Sequence, residues 1–284
     1  MVKGRGPFSP GRLERILTKG LDRLQGSQRP WYRDLCDYYG VTPEQALKLG
    51  TRTSGRRPDL PGSATTHPVS GKTMEELWET GQRRTEAEIF SFYQEIGAWL
   101  AFRQVVHHRD NRFAYLLPCL KPENRFCEYG AGVAPVAFRA VERKRRPPHL
   151  ITVVDVPSEH FTFGVWRLKR LVDEKKAPVE VSPVEILPGR LLLTGSFEVI
   201  AVLEVFEHLP NPLEVAHHLC DHLEPGGLLW ENYVRLEDPR ESDLESAQAQ
   251  RGLVHRHLYQ VCRLVQGRGP EAPGGGGTRC WQKR

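Results

Sequence analysis

No stretch of the 284 residues approaches the roughly 20 consecutive apolar side chains needed to cross a bilayer, so no membrane-embedded function is expected. The first residues, Met1-Val2-Lys3-Gly4-Arg5-Gly6-Pro7, lack the apolar core of a secretion signal. The six cysteines (Cys36, Cys119, Cys127, Cys220, Cys262 and Cys280) are scattered with no Cys-x-x-Cys pair. Neither a zinc knuckle nor a disulfide framework is therefore indicated, and a reducing cytoplasm is the expected setting. An excess of one charge is missing too, because a net charge of +5 is mild for this length. The basic run from Arg139 to Arg146 reads either as a nucleic-acid patch or as the solvated last turn of a helix. No aromatic residues interleave it, and cations suit a helix C-terminus, so nucleic acid is disfavoured as a partner. There are no internal repeats. With 39% hydrophobic and 26% charged residues, the chain fits one soluble domain, alone or with a smaller attachment.

What is present divides near residue 110. Before it, Leu13, Ile16, Leu17, Leu21 and Leu24 form a helical stripe, and Thr42-Pro43-Glu44 carries the capping residue and first-turn proline of a short helix. Residues 51 to 73, rich in Arg, Pro, Gly, Ser and Thr, read as an exposed loop. A long helical region then runs from about Met74 to Val106, with a break at Gly81 and an apolar face of Phe90, Tyr93, Ile96, Trp99 and Leu100. From Phe126 onward strands and helices alternate, the signature of a parallel sheet. Strands are predicted near 125–129, 150–155, 178–182, 197–203 and 228–234, and helices near 134–145, 160–173, 212–222 and 243–259. Val261 to Val265 and Thr278 to Trp281, around the glycines at 274 to 277, would close the sheet as a hairpin. The expected division is a helical N-terminal region over 1–110, to which the family resemblance described below gives the role of a cap or substrate-recognition region, and a core over 111–284.

The most informative residues open that core. Phe126-Cys127-Glu128-Tyr129-Gly130-Ala131-Gly132 is an apolar entry, one carboxylate, then glycines two apart. Glycines there let a ligand approach the backbone amides. A pyrophosphate would be repelled by Glu128, and Pro135 stands where the dinucleotide fingerprint needs its third glycine. Downstream, Ile151-Thr152-Val153-Val154-Asp155 ends a β-branched run on an acid, which reads as a ribose ligand or as a plain turn acid. Phe197 to Ile200, Glu207-His208-Leu209-Pro210 and Leu223-Glu224-Pro225-Gly226-Gly227-Leu228 follow in order.

In this order and spacing the motifs resemble the class I S-adenosylmethionine (SAM)-dependent methyltransferases, best over residues 85 to 235. The segment Glu204 to Pro212 looks like that of small-molecule methyltransferases of the ubiquinone-biosynthesis and natural-product type. The resemblance implies an α/β fold: a seven-stranded, doubly wound, Rossmann-like sheet with an N-terminal helical extension. It implies SAM as cofactor, bound by Glu128, Tyr129, Gly130, Ala131, Gly132, Asp155, Val156 and Glu204. The third glycine of the family is replaced here by Ala134.

The implied reaction is an in-line displacement at a sulfonium methyl, giving O- or N-methylation of a small-molecule acceptor. The catalytic candidates are His208 and Glu207. An unperturbed imidazole near pKa 6.5 suits a general base, while a structural role holding its loop is the other reading. Glu204, Glu207 and His208 are similar to a divalent-metal set in some relatives that would hold Mg²⁺, but many relatives with this Glu-His pair use no metal, so no metal ligand is assigned. His217, His218, Cys220 and His222 read as a polar helix face, since Cys220 points away from His218 and His222. No Asn-Pro-Pro-Tyr or Asp-Pro-Pro-Tyr tetrapeptide follows the fourth strand, which disfavours amino-base methylation. Tyr93 and Arg103 could wall the acceptor pocket, and Phe161, Phe163, Trp166 and Arg167 could flank the adenine or pack as core. The alternatives are an RNA ribose methyltransferase and a non-catalytic binding module on the same fold.

Overall fold

Strand β1 (Arg125–Tyr129) has Phe126, Cys127, Glu128 and Tyr129 all buried, so both of its faces are covered. A strand covered on both sides belongs at the centre of a parallel sheet. In the computed structural model, which describes residues 32–52, 77, 85–108, 113–233, 243–270 and 277–284, it lies there. It pairs in parallel with β2 (Leu150–Asp155) on one side and β4 (Phe197–Val202) on the other. Beyond β2 lies β3 (Glu180–Glu185), and beyond β4 lies β5 (Leu223–Glu231), both parallel. The last two strands, β6 (Cys262–Gln266) and β7 (Arg279–Lys283), form an antiparallel hairpin, with β7 inserted beside β5. The order is β3-β2-β1-β4-β5-β7-β6, the doubly wound seven-stranded sheet expected from the sequence.

Alternation along the strands assigns the two apolar cores. Phe126, Ile151, Val153 and Val199 pack with helix α4 (Pro135–Arg143) and helix α5 (Glu159–Lys175), through Phe138, Val141, Phe161 and Leu168. Cys127, Val154, Ile200 and Leu229 share the other core with Leu219 of helix α6 (Pro212–Asp221) and Val254 and Leu258 of helix α7 (Glu245–Val261). Among the described residues three α-helices precede β1: α1 (Arg33–Tyr39), α2 (Pro43–Arg52) and α3 (Glu86–His108). α3 packs against α5, and its Ala101, Phe102 and Val105 join Leu35, Ala46, Val133 and Phe163 in a third cluster. No helix among the described residues is long and apolar enough to cross a membrane.

Two strand boundaries differ from expectation. β3 continues to Glu185 through Pro183, which an edge strand tolerates because one side of its backbone needs no ladder partner. β5 starts at Leu223, inside the expected turn. Phe197 pairs with Leu223 and Val199 with Leu228, so the intervening Pro-Gly-Gly residues bulge out of the ladder, with Gly226 at φ 77°. The expected helix over Arg12 to Leu24, most of the 51–73 loop, the break at Gly81 and Gly274 to Gly276 lie outside the described residues.

A buried ion pair ties the hairpin to the sheet. Glu231 and Arg279 are 0% and 1% exposed, and Arg279 Nε donates to Glu231 Oε1 at 2.5 Å. Arg279 Nη2 adds bonds to Glu231 Oε2 and the Tyr233 carbonyl, and Trp281 Nε1 also donates to Glu231 Oε1. With several donors on one carboxylate, the buried charges are satisfied.

Candidate functional site

The strand order reverses at β1, whose neighbours β2 and β4 feed helices on opposite faces, and a crevice opens at the carboxyl ends of such strands. Here it is a cavity of about 280 Å³. Tyr129, Gly130, Asp155, Val156, Glu204 and His208 all line it. A smaller cavity of about 60 Å³ adjoins, bordered by Glu128, Tyr129, Gly130, Ala131 and Glu204. Nearly every residue proposed from the sequence thus reaches one edge of one sheet.

The loop after β1 is fixed to the end of β2. Ala131 N donates to the Val154 carbonyl at 3.0 Å, and Gly132 N donates to Asp155 Oδ2 at 2.5 Å. Asp155 Oδ1 accepts from Val156 N at 2.6 Å. Burial pushes the Asp155 carboxyl up to about 6, against the pull of those two N–H groups. The amides expected to line a ligand at 131 and 132 are therefore engaged within the protein. Gly130 and Gly132 sit at φ 67° and 50°, where an L side chain is strained. A Cβ at Gly130 would also collide with Val205, and one at Gly132 with the Gln104 side chain.

Glu128 does not reach the larger cavity. Its two oxygens accept from Val136 N and Ala137 N, the free amides of the first turn of α4, at 3.0 and 2.8 Å. Burial still pushes this carboxyl up to about 7. Ala134, in the position of the missing third glycine, is left-handed at φ 51°.

After β4 the chain turns sharply. Glu204 adopts φ 59°, a cost accepted at a residue bordering both cavities. A reciprocal pair of bonds holds it: Glu204 N donates to Asn232 Oδ1 at 2.7 Å, and Asn232 Nδ2 donates to Glu204 Oε1. A 3₁₀ turn, Phe206–His208, follows and presents His208 to the cavity. Glu207 lines neither cavity: its Oε2 is buried and has no hydrogen-bond partner among the described residues. Burial raises its carboxyl to about 8, helped by Glu204, Asp243 and Glu231 nearby. Among the described residues no three His, Cys, Asp or Glu side chains come together as a metal would require. Glu204, Glu207 and His208 accordingly do not gather as the alternative Mg²⁺ set, because neighbouring residues of a tight turn diverge. The His217 to His222 run makes no such group either.

Several lining residues were not anticipated. Beside Tyr93, which was expected at the pocket wall, helix α3 contributes Glu86, Ile89, Phe90 and Gln104, all on the helical face that carries Tyr93. Gln104 borders both cavities, and its Oε1 accepts from Val133 N at 3.1 Å. The signal was in the sequence as a polar residue four positions beyond Leu100 on the apolar stripe. The loop after β3 contributes Ile186, Leu187 and Arg190, and Gly189 N donates to Glu86 Oε2 at 2.5 Å. His160, at the start of α5, also lines the cavity at 2% exposure. Burial lowers it to about 4, which keeps it neutral. Trp99 packs with Phe92, Ile96 and Leu100, and Arg103 is absent from both linings. Phe161 and Phe163 are core, and the Arg167 guanidinium lies 3.8 Å over the Phe138 ring.

The family model for the methyltransferase domain matches residues 102–269, more than half of the chain. This chain belongs to that family. The methyltransferase domain thus begins within α3 and takes in the glycine loop, Asp155, the Glu204 turn and the bulged β5. Its sheet is that of the class I SAM-dependent methyltransferases, as the motifs implied. No curated protein matches the sequence. Among solved structures the chain is similar to a methyltransferase from Pyrococcus furiosus, at 16% identity over 61% of this chain and 81% of that one, TM-score 0.41. It is also similar to the N-methyltransferase NodS from Bradyrhizobium japonicum WM9, at 16% identity over 62% of this chain and 97% of that one, TM-score 0.44. A second NodS structure, in complex with S-adenosyl-L-homocysteine (SAH), matches at 15% identity over 61% of this chain and 87% of that one, TM-score 0.41.

Proposed function

We propose that the protein is a SAM-dependent methyltransferase that methylates an oxygen or nitrogen of a small-molecule acceptor. The observation supporting this most directly is the junction of the Gly130–Gly132 loop with Asp155 at the mouth of one cavity, within a methyltransferase domain.

The chain fits the cofactor in its residue types. Asp155 spends one bond of each oxygen on backbone N–H, which leaves lone pairs to accept from two ribose hydroxyls. Val156 offers an apolar edge beside it for the adenine. Tyr129, Gly130 and Ala131 allow close approach of the aminocarboxypropyl end, with the carboxylates of Glu128 and Glu204 bordering the same small cavity. Gly132 acts from behind, by fixing Asp155.

SAM supplies an activated methyl on a good leaving group, so the protein's task is alignment and proton removal. Alignment alone can lower a barrier by about 7–11 kcal/mol. His208, at the cavity wall, is assigned as proton acceptor, worth about 10²–10⁴-fold. Glu207 faces away and is given no contact with the acceptor. The region before residue 111 acts as the substrate-recognition cap through Glu86, Phe90, Tyr93 and Gln104 of α3, and the core follows it. Titration calorimetry with SAM and SAH tests the reading: saturable binding of both supports it, and absence of binding to a folded protein overturns it.

A further inference from the structure

Beyond the residues assigned to the cofactor, the cavity wall combines two features that together select a ligand charge. Phe90 and Tyr93 of α3 present aromatic rings to it. Glu86 and Glu214 present carboxylates. Glu86 takes the Gly189 N–H as partner, a neutral donor that adds no opposing charge. Glu86, Glu214 and Asp155 are all close enough to the Tyr129 hydroxyl to help burial keep its proton on. Among the described residues lining the cavity one guanidinium, Arg190, opposes them; Arg190 and Glu214 are both exposed, so water screens the two alike and the half-buried Glu86 sets the field. His160 adds a neutral imidazole whose Nδ1 has no hydrogen-bond partner among the described residues.

We propose that the acceptor of this methyltransferase is an amine carried on an apolar or aromatic body. Aromatic faces with carboxylates around them form a cage for an ammonium, and desolvation strengthens the attraction. Ile89, Leu191 and Leu209 supply the surface for the body. An anionic acceptor meets the opposite field and is rejected. A neutral alcohol gains the apolar contact without the charge term.

The step balances with groups already placed. The bound ammonium gives a proton to His208, and the freed nitrogen lone pair forms the N–C bond as the S–C bond breaks. The electrons of that bond stay on sulfur, and the positive charge passes to the nitrogen of the methylated product. Carboxylates around the reacting atoms favour a site that holds positive charge throughout.

This inference rests on the cofactor reading above, and the test separates the two. The full chain is first titrated with SAH, and failure to bind overturns the function proposed above and this inference with it. The SAH-saturated protein is then titrated with 2-phenylethylamine, 2-phenylethanol and phenylacetate. The expected result is that the amine binds at least about tenfold tighter than the alcohol and that phenylacetate binds weakest. Glu86→Gln keeps an oxygen to accept from Gly189 N while removing the charge, so it should reduce the preference for amine over alcohol. Tyr93→Leu, which removes a ring and keeps bulk, should do the same. With SAH bound, an alcohol or acid that binds as well as the amine, or an amine that does not bind, overturns the inference. An unchanged preference in both variants overturns it too.

Discussion

The backbone N–H of Gly132 donates to Asp155 Oδ2 at 2.5 Å, joining the loop after β1 to the end of β2 through one side chain. Two sequence motifs 23 residues apart are therefore one structural unit. Whatever moves the loop also moves the acid.

Substitution at Gly130 tests the fit of that loop. Gly130→Ala places a Cβ at φ 67° and against Val205. It should destabilise the protein by about 1–3 kcal/mol, measured by denaturant unfolding. Adding Val205→Ala should recover the steric part and leave the left-handed strain. A double variant no better than the single one would contradict this.

Asn232 holds Glu204 by the reciprocal pair of bonds, in a conformation a glutamate rarely adopts. Asn232→Ala should cost about 1–3 kcal/mol, because a buried N–H loses its acceptor. Glu204→Gly should be tolerated better in stability, since it relieves the positive φ while removing the carboxylate from both cavities. Urea unfolding of the two variants checks the order.

Glu207 gives a pH signature. Its folded value of about 8 lies above the ordinary 4.5, so its contribution to stability is present below about 4.5 and is lost as pH rises through 8. Glu207→Gln does not titrate. Its melting temperature relative to the natural protein should climb by several degrees between about pH 5 and pH 8, then level off. A difference independent of pH would show that the carboxyl is not buried.

Glu231 behaves in the opposite sense. The surrounding Arg279 and His255 overcome burial and hold it down to about 2, so its stabilisation is present above about 4.5 and lost as pH falls toward 2. Arg279→Met leaves this carboxylate buried beside Trp281 without its guanidinium, which should cost about 3–5 kcal/mol by denaturant unfolding. A loss below 1 kcal/mol would show that water reaches Glu231.

How much of this could be read in advance depends on how local the cause is. β1 and β2 were legible to the residue because each stops at a sharp local signal, β1 at the glycine loop and the β-branched run of β2 at Asp155. The ends of β3 and β5 were not, since Pro183 and Pro225-Gly226-Gly227 are turn signals that an edge position and a bulge override. The site edge was legible because Asp155 ends a strand and Gly130 and Glu204 closely follow one. The roof was not, because Glu86 and Gln104 reach it through packing of α3 on α5, a long-range choice. Glu207 and His208 are adjacent in sequence, and only the 3₁₀ turn decides that one faces the cavity and the other the interior.

The central claim is that Asp155, fixed by Gly132, grips the sugar of a sulfonium nucleoside. Calorimetric titration of Asp155→Ala with SAH, on protein shown by circular dichroism to be folded, tests it most directly. Loss of two charge-assisted hydrogen bonds should weaken binding by about 100-fold or more. Affinity equal to that of the natural protein would contradict it.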